Sequence, residues 1–209
     1  MDDDSLLLTD DEVVALGLSA GQLWPAALPS VDVQEDAAVS AAGFRGNRSL
    51  VVRGLRTEDG TSHAETTAAG VLGAERRVNV YLGDHDYRVT SYAISSAHHR
   101  GPSGDWLFET VSVVGVHRLA ARPVDDHRAY LRALLEAAVA HGPEPDGSGE
   151  GGASWFCVTA ETAASGAIVA ARRSEVLMGE LLRTDTGPRA SALAPIEVDE
   201  AVSALLGEA

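Results

Sequence analysis

The sequence contains no lysine, and all 16 of its basic residues are arginines. This absence excludes mechanisms that need a lysine, namely the phosphate-binding lysine of a P-loop, a Schiff base with a carbonyl substrate and a lysine general base. The basic residues are also outnumbered by 31 acidic ones, which gives a formal net charge of −15. Nucleic-acid binders need a basic face that displaces counterions from phosphate. The charge therefore predicts no nucleic-acid partner, and it also disfavours binding to an anionic membrane surface.

Cysteine occurs only once, as Cys157 in an apolar run, so no disulfide can form within the chain. We expect this side chain to be a small buried hydrophobe, since a catalytic thiol needs a positive and partly exposed setting. Long apolar runs are missing as well, because none approaches the roughly 20 residues of a membrane span. The chain begins with Met1 and three aspartates, the opposite of a signal peptide's basic start. We therefore predict a cytoplasmic protein without a membrane segment.

The N-terminal part of the chain predicts two helices and a strand. Thr9 and Glu12 have the spacing of a capping box, which marks the start of a first helix. A second helix is expected over 34–42, with glycines after it as a stop signal, and a strand over 49–55. The polar and small residues of 57–75 favour a loop.

The rest of the chain alternates short strand patterns with turn residues, which favours an antiparallel meander. Helix patterns occur within it and at its end. The expected strands cover 76–82, 87–96, 105–119, 154–159 and 167–172, and the expected helices cover 126–140 and 197–206. Segment 175–184 is ambiguous between helix and strand, and 186–195 is expected to be extended. The sequence thus predicts an α+β fold with a mostly antiparallel β-sheet and flanking helices.

We expect a single domain over 1–209. The Gly- and Pro-rich stretch 143–152 has the composition of a flexible loop, which would join two subregions, 1–142 and 153–209.

Catalytic signatures are weak throughout. The spacing G-x-G-x-x-G in 147–152 follows an expected helix and precedes a strand, the reverse of the order in a dinucleotide-binding fold. There is no G-x-S-x-G motif and no H-E-x-x-H motif, and structural zinc sites usually need more cysteines. We therefore predict no catalytic residue, no metal and no cofactor. One alternative stays open: a small hydrolase or transferase that uses His117 or His85 with a carboxylate such as Glu109 on the sheet.

Four arginines, Arg45, Arg48, Arg53 and Arg56, form the one local basic cluster. Their forked donors suit an acidic or phosphorylated partner. The competing interpretation is pairing with carboxylates of the same chain, which are in surplus.

The N-terminal segments LTDDEVVALGLSAGQLWPAALP and AAVSAAGFRGNRSLVVRGL together suggest a family. Over about the first 60 residues they resemble the N-terminal half of the actinobacterial EspG proteins, which are chaperones of type VII secretion. The resemblance implies a cytoplasmic chaperone without a cofactor that binds the helical tip of a PE–PPE heterodimer. On this reading the contact surface comprises the expected loop before Trp106 and the last helix. Its residues are His98, His99, Arg100, Trp106, Leu205 and Leu206.

A third alternative is a dimeric structural or regulatory domain. Exposed strands would then pair across a two-fold axis.

Overall fold

The computed structural model describes residues 5–57, 62–83, 89–142, 155–162, 165–184 and 187–208 of the 209. These residues form ten strands and five helices. The strands are β1 Leu6–Thr9, β2 Arg76–Gly83, β3 Val89–Arg100, β4 Trp106–Val111, β5 Val116–Arg122, β6 Trp155–Glu161, β7 Gly166–Arg172, β8 Glu175–Thr184, β9 Gly187–Ala190 and β10 Ala194–Pro195. The helices are α1 Asp10–Ser19, α2 Asp36–Val52, α3 His63–Leu72, α4 Val124–His141 and α5 Val198–Leu206.

The strands form one antiparallel sheet in the order β1-β5-β4-β3-β2-β6-β7-β8-β10, with β9 paired to β8. The predicted α+β fold with a mostly antiparallel sheet is therefore confirmed. The pairing of β2 with β6 joins the two expected subregions within the same sheet. Among the described residues, no helix is both long and apolar enough to cross a membrane.

The two faces of the sheet carry different helices. Strand residues alternate between the faces, so on β4 the side chains of Trp106 and Phe108 point one way while Leu107 and Glu109 point the other. One buried cluster joins α1, α2 and α3 to β1 and β5, and Leu107 packs against it. A second cluster joins α4 and α5 to β2, β6 and β7 and contains Trp106. Cys157 is buried, as expected.

Helix α1 begins at the predicted capping box. The Thr9 amide donates to a Glu12 carboxylate oxygen at 2.9 Å, and the Glu12 amide donates to the Thr9 hydroxyl at 3.3 Å. The expected helices over 126–140 and 197–206 correspond to α4 and α5.

The expected break after residue 42 is wrong, because α2 continues through both glycines to Val52 and replaces the predicted strand over 49–55. These glycines allow α1 and α2 to pack closely. A Cβ atom at Gly46 would lie 1.8 Å from the Asp11 carbonyl oxygen, and one at Gly43 would lie 2.6 Å from Leu18 Cδ1. Steric fit between helices, and not helix termination, therefore explains both residues.

Three further segments differ from the sequence-based expectations. The predicted loop over 57–75 contains α3, which begins at a second capping box formed by Ser62 and Glu65. The expected strand over 105–119 is two strands, β4 and β5, which turn back at Gly115 with a φ of +72°. The ambiguous segment 175–184 is strand β8.

Candidate functional site

The most polar buried region of the described structure lies between α1 and strands β3, β4 and β5. The sequence predicted Glu109 and His117 on one strand over 105–119. In the structure they lie on two neighbouring strands, β4 and β5. Val111 is the cross-strand partner of His117, so Glu109 sits two residues along β4 on the same face. His117 Nδ1 lies 2.5 Å from Glu109 Oε1. The sequence-predicted histidine–carboxylate pair is thus present, and the hairpin of β4 and β5 brings it together.

Asp10 binds the other side of the His117 ring. Its Oδ1 lies 2.7 Å from His117 Nε2, while Oδ2 accepts hydrogen bonds from the backbone amide and the hydroxyl of Ser30, both at 2.6 Å. Gly115 allows this approach, since a Cβ atom there would lie 2.4 Å from Asp10 Oδ2. The first residue of α1 is therefore fixed to the sheet through a carboxylate.

Glu109 has two further partners. His99 Nε2 lies 2.7 Å from Glu109 Oε2, and Trp24 Nε1 donates to Glu109 Oε1 at 2.8 Å. We call Asp10, His99, Glu109 and His117 the acidic network. All four side chains are at most 1% exposed.

The acidic network is held in ionised form by its own hydrogen bonds. Burial alone would raise the pKa of Glu109, but hydrogen bonds from His117 and His99 lower it to about 2. Burial would lower the pKa of His117, but its bonds to Asp10 and Glu109 raise it to about 9. The pKa of Asp10 is lowered too, because the bonds from His117 and Ser30 outweigh burial. At neutral pH the region thus contains two carboxylates and an imidazolium.

Asp, His and Glu in hydrogen-bond contact are also the components of general acid–base catalysis. A general base, however, must reach a substrate and offer a nitrogen that can take up a proton. Both ring nitrogens of His117 are already hydrogen-bonded to carboxylates, and neither the ring nor its partners reach the surface. The geometry therefore suits the connection of α1 to the sheet better than catalysis. His85, the other sequence candidate, lies outside the described residues.

A second pair of histidines lies on the opposite face of the sheet. His98 on β3 and His127 on α4 approach with their Nδ1 atoms 2.6 Å apart. Phe108 and Tyr130 surround His98, with ring centroids at 4.9 and 5.4 Å, and Trp106 lies 5.2 Å from His127. We call His98 and His127 the histidine pair.

The histidine pair is neutral at pH 7. Burial lowers the pKa of His127 to about 4, although a hydrogen bond with the Arg122 backbone opposes the effect. Burial also lowers the pKa of His98 well below its usual value, and the neighbouring His127 and His99 add to this. The Nε2 atoms of both rings have no hydrogen-bond partner in the described structure. One Nδ1 must then donate and the other accept, which requires different tautomers in the two rings.

Among the described residues, no group of three or more His, Cys, Asp or Glu side chains is arranged to hold a metal ion.

The six residues expected to form a contact surface are mostly internal. Strand β3 continues through Arg100 and β4 begins at Trp106, so the connection between them is shorter than expected. Arg100 is half-buried. The other five are buried, which contradicts the expectation that they lie at the surface: His98, His99, Trp106, Leu205 and Leu206. Leu205 and Leu206 are the apolar face of α5 and pack in the second core cluster.

The arginine cluster lies on α2 and just after it, and three of its four members pair within the chain. Arg45 donates two hydrogen bonds of 2.7 Å to Asp11, and Arg53 lies 2.6 Å from Glu12. Arg56 Nε lies 3.7 Å from a Glu65 oxygen. Intramolecular pairing, the competing interpretation, therefore accounts for these three arginines. Arg48 is exposed, and within the described part of the chain it has no ion pair.

Sequence reasoning missed Asp10, Trp24 and Ser30 as parts of the acidic network. Asp10 follows the predicted N-cap Thr9 and was given no role in a site. The signal that could have found it is an aspartate at the first helical position, whose side chain can turn away from solvent. No family model matches the chain, and a search of curated proteins finds none similar to it.

Proposed function

We propose that this chain is a non-catalytic cytoplasmic protein that binds other proteins. The observation that carries the proposal is the complete burial of the acidic network, whose hydrogen-bonding atoms serve α1 and the sheet. A fully buried network of this kind stabilises the fold, so a binding site for another protein would lie on the surface of the chain. Exposed apolar side chains are concentrated at two places on that surface.

One of these places is the free edge of the sheet. Thr9 pairs with Val116 and Leu7 pairs with Arg118, so Leu7 and Val116 share a face. Two further valines project from the turn between β4 and β5. We call these four residues the edge patch, with exposures of 44% for Leu7, 62% for Val113, 72% for Val114 and 36% for Val116. Exposed apolar side chains grouped in this way favour a protein interaction site.

The occupant we propose for the edge patch is the apolar helical tip of a PE–PPE heterodimer. The support is the sequence resemblance of the N-terminal segments to EspG chaperones, together with the position of those segments. They form β1, α1 and α2, the elements beside the edge patch. The function we propose is therefore that of a type VII secretion chaperone, which covers the apolar tip of its partner and catalyses no reaction.

The test is co-expression of this chain with a PE–PPE heterodimer from the same genome, followed by size-exclusion chromatography with light scattering. We expect a stable complex, and the Val113→Asp/Val114→Asp double variant should weaken it at least about tenfold in calorimetry, since two charges would enter an apolar contact. Leu23→Asp, which changes an exposed apolar residue outside the edge patch and the outer face of α2, is the control and should bind normally.

A wild-type chain that forms no complex at about 50 μM would remove the chaperone proposal. A turnover activity that Glu109→Gln abolishes in a folded protein would instead favour the hydrolase or transferase.

A further inference from the structure

Helix α2 presents an apolar outer ridge that no other described element covers. Residues spaced three, four and seven apart along a helix share a face, and on α2 this face points away from α1. Phe44 is 75% exposed, Val51 59% and Val52 79%. We call the exposed face the outer ridge: Ala37, Ser40, Ala41, Phe44, Arg48, Val51 and Val52.

Side-chain size is unevenly distributed along the outer ridge. Its N-terminal half carries Ala37, Ser40 and Ala41, while its C-terminal half carries Phe44 and the two valines. The first half is therefore a shallow notch and the second a row of projections. Two such helices fit each other when they run in opposite directions, because projections then meet notches.

Charged residues also differ between the two halves of α2, with acidic side chains at its start and a basic one in its C-terminal half. Glu35 and Asp36 lie exposed at the start of α2, and within the described structure neither forms an ion pair. Arg48 lies exposed in the C-terminal half, without an ion pair in the described part of the chain. An antiparallel neighbour would bring unlike charges together at both ends, whereas a parallel one would bring like charges together.

We propose that two copies of this chain associate through α2, with the helices antiparallel across a two-fold axis that crosses them at the level of Ala42. In this register Arg48 of each copy meets Asp36 of the other. Phe44 lies over Ser40 and Ala41. Each contact occurs twice, as a two-fold interface requires.

The second copy is favoured over an unrelated partner because the outer ridge is complementary to itself in both size and charge. The interface is small, since a helix of 17 residues is about 25 Å long. Interfaces of that size give weak or transient assemblies, so we expect a dimer with a dissociation constant of about 1–100 μM.

Sedimentation velocity between about 1 and 300 μM tests the proposal. The wild-type chain should pass from monomer to dimer over this range, and a monomer at 300 μM would overturn the proposal. Phe44→Glu should abolish the dimer. Arg48→Glu should raise the dissociation constant at least about tenfold, since two like-charge contacts replace two pairs.

The decisive variant is the charge exchange Asp36→Arg/Arg48→Glu, which should restore dimerisation to within about threefold of wild type. Phe44 and Arg48 are exposed in the interior of α2, so circular dichroism and the unfolding midpoint should stay unchanged when either is replaced. Asp36→Arg puts a cation in the first turn of α2, where the helix dipole disfavours it, so the exchange variant should keep its circular dichroism but unfold at a slightly lower midpoint. Val113→Asp/Val114→Asp is the control and should dimerise normally. A dimer that persists in Phe44→Glu, or an exchange variant that stays as weak as Arg48→Glu, places the interface elsewhere and refutes the proposal. These results do not depend on whether a PE–PPE heterodimer binds.

Discussion

His98 and His99 are neighbours on β3, yet their rings enter two buried environments on opposite faces of the sheet. His99 joins the acidic network, where Glu109 and Asp10 hold His117 as an imidazolium. His98 joins His127 among aromatic rings, where both rings stay neutral. The imidazole of His117 is thus charged, whereas those of His98 and His127 are uncharged, although all three are buried.

The difference shows that the partner, and not burial by itself, sets the charge state. Desolvation disfavours the imidazolium on both faces, and only carboxylates within hydrogen-bond distance overcome it. The two regions should therefore respond differently to mutation and to pH. In the acidic network, loss of one charge leaves another buried and unpaired, whereas in the histidine pair only a neutral hydrogen bond is lost.

The largest effect is expected from His117→Phe. This change leaves Asp10 and Glu109 buried without their cation, and breaking a buried ion pair lowers the free energy of unfolding by about 3–5 kcal/mol. Urea denaturation followed by tryptophan fluorescence measures it, and loss of the cooperative transition would be the extreme form of the same result. His63→Phe, an exposed histidine on α3, is the control and should change stability by less than about 0.5 kcal/mol. A similarly small effect of His117→Phe would mean that the acidic network contributes nothing to the free energy of unfolding.

The next effect is a stability maximum near pH 6.5. The pKa of His117 is raised to about 9 in the folded state, so its contribution is complete below pH 6.5 and is lost as the pH rises through 9. The pKa of His127 is lowered to about 4, so stability falls as the pH drops from 6.5 towards 4. Shifts of this size correspond to about 3 kcal/mol on each side.

Urea midpoints between pH 4 and 10 check this profile, and long-range ¹H–¹⁵N spectra assign it. At pH 7.5 His117 should carry protons on both ring nitrogens, while His98 and His127 carry one each. A neutral His117 at that pH would contradict the charge states assigned to the two regions.

The smallest effect is expected from His127→Phe. At pH 7 this variant loses the neutral hydrogen bond between His98 and His127, while its phenyl ring adds apolar contact with Trp106 and Phe108. The free energy of unfolding should therefore fall by only about 1 kcal/mol. His98 stays buried with a lowered pKa in this variant, so the loss of stability below pH 6.5 should become smaller but should not disappear. Comparison of urea midpoints at pH 7 and pH 5 measures this, and an unchanged acid side would assign that loss to other groups.

Local patterns predicted the local structure well. The capping box at Thr9, the amphipathic helix α4 and the alternating strands of the meander each depend on residues within a few positions of one another. Cys157 was placed correctly by its apolar neighbours. These features need no knowledge of how distant segments pack.

The missed features depend on contacts between distant residues. His117 meets Asp10 across 107 positions, and Trp24 meets Glu109 across 85. The glycines in α2 were interpreted as a helix stop because their packing against α1 cannot be seen in a single segment. His98 and His99 were expected in a loop because the turn residues that follow them favoured an early end of the strand. Tertiary packing decided all of these cases.

Arg53 has a role beyond its ion pair with Glu12. Its guanidinium also donates to the Leu7 carbonyl at 3.0 Å, on β1, which has a neighbouring strand on one side only. A carbonyl engaged in this way is a poorer acceptor for an incoming strand, and a charged group beside it disfavours strand addition. The sheet is thus protected at this end from growth by further strands.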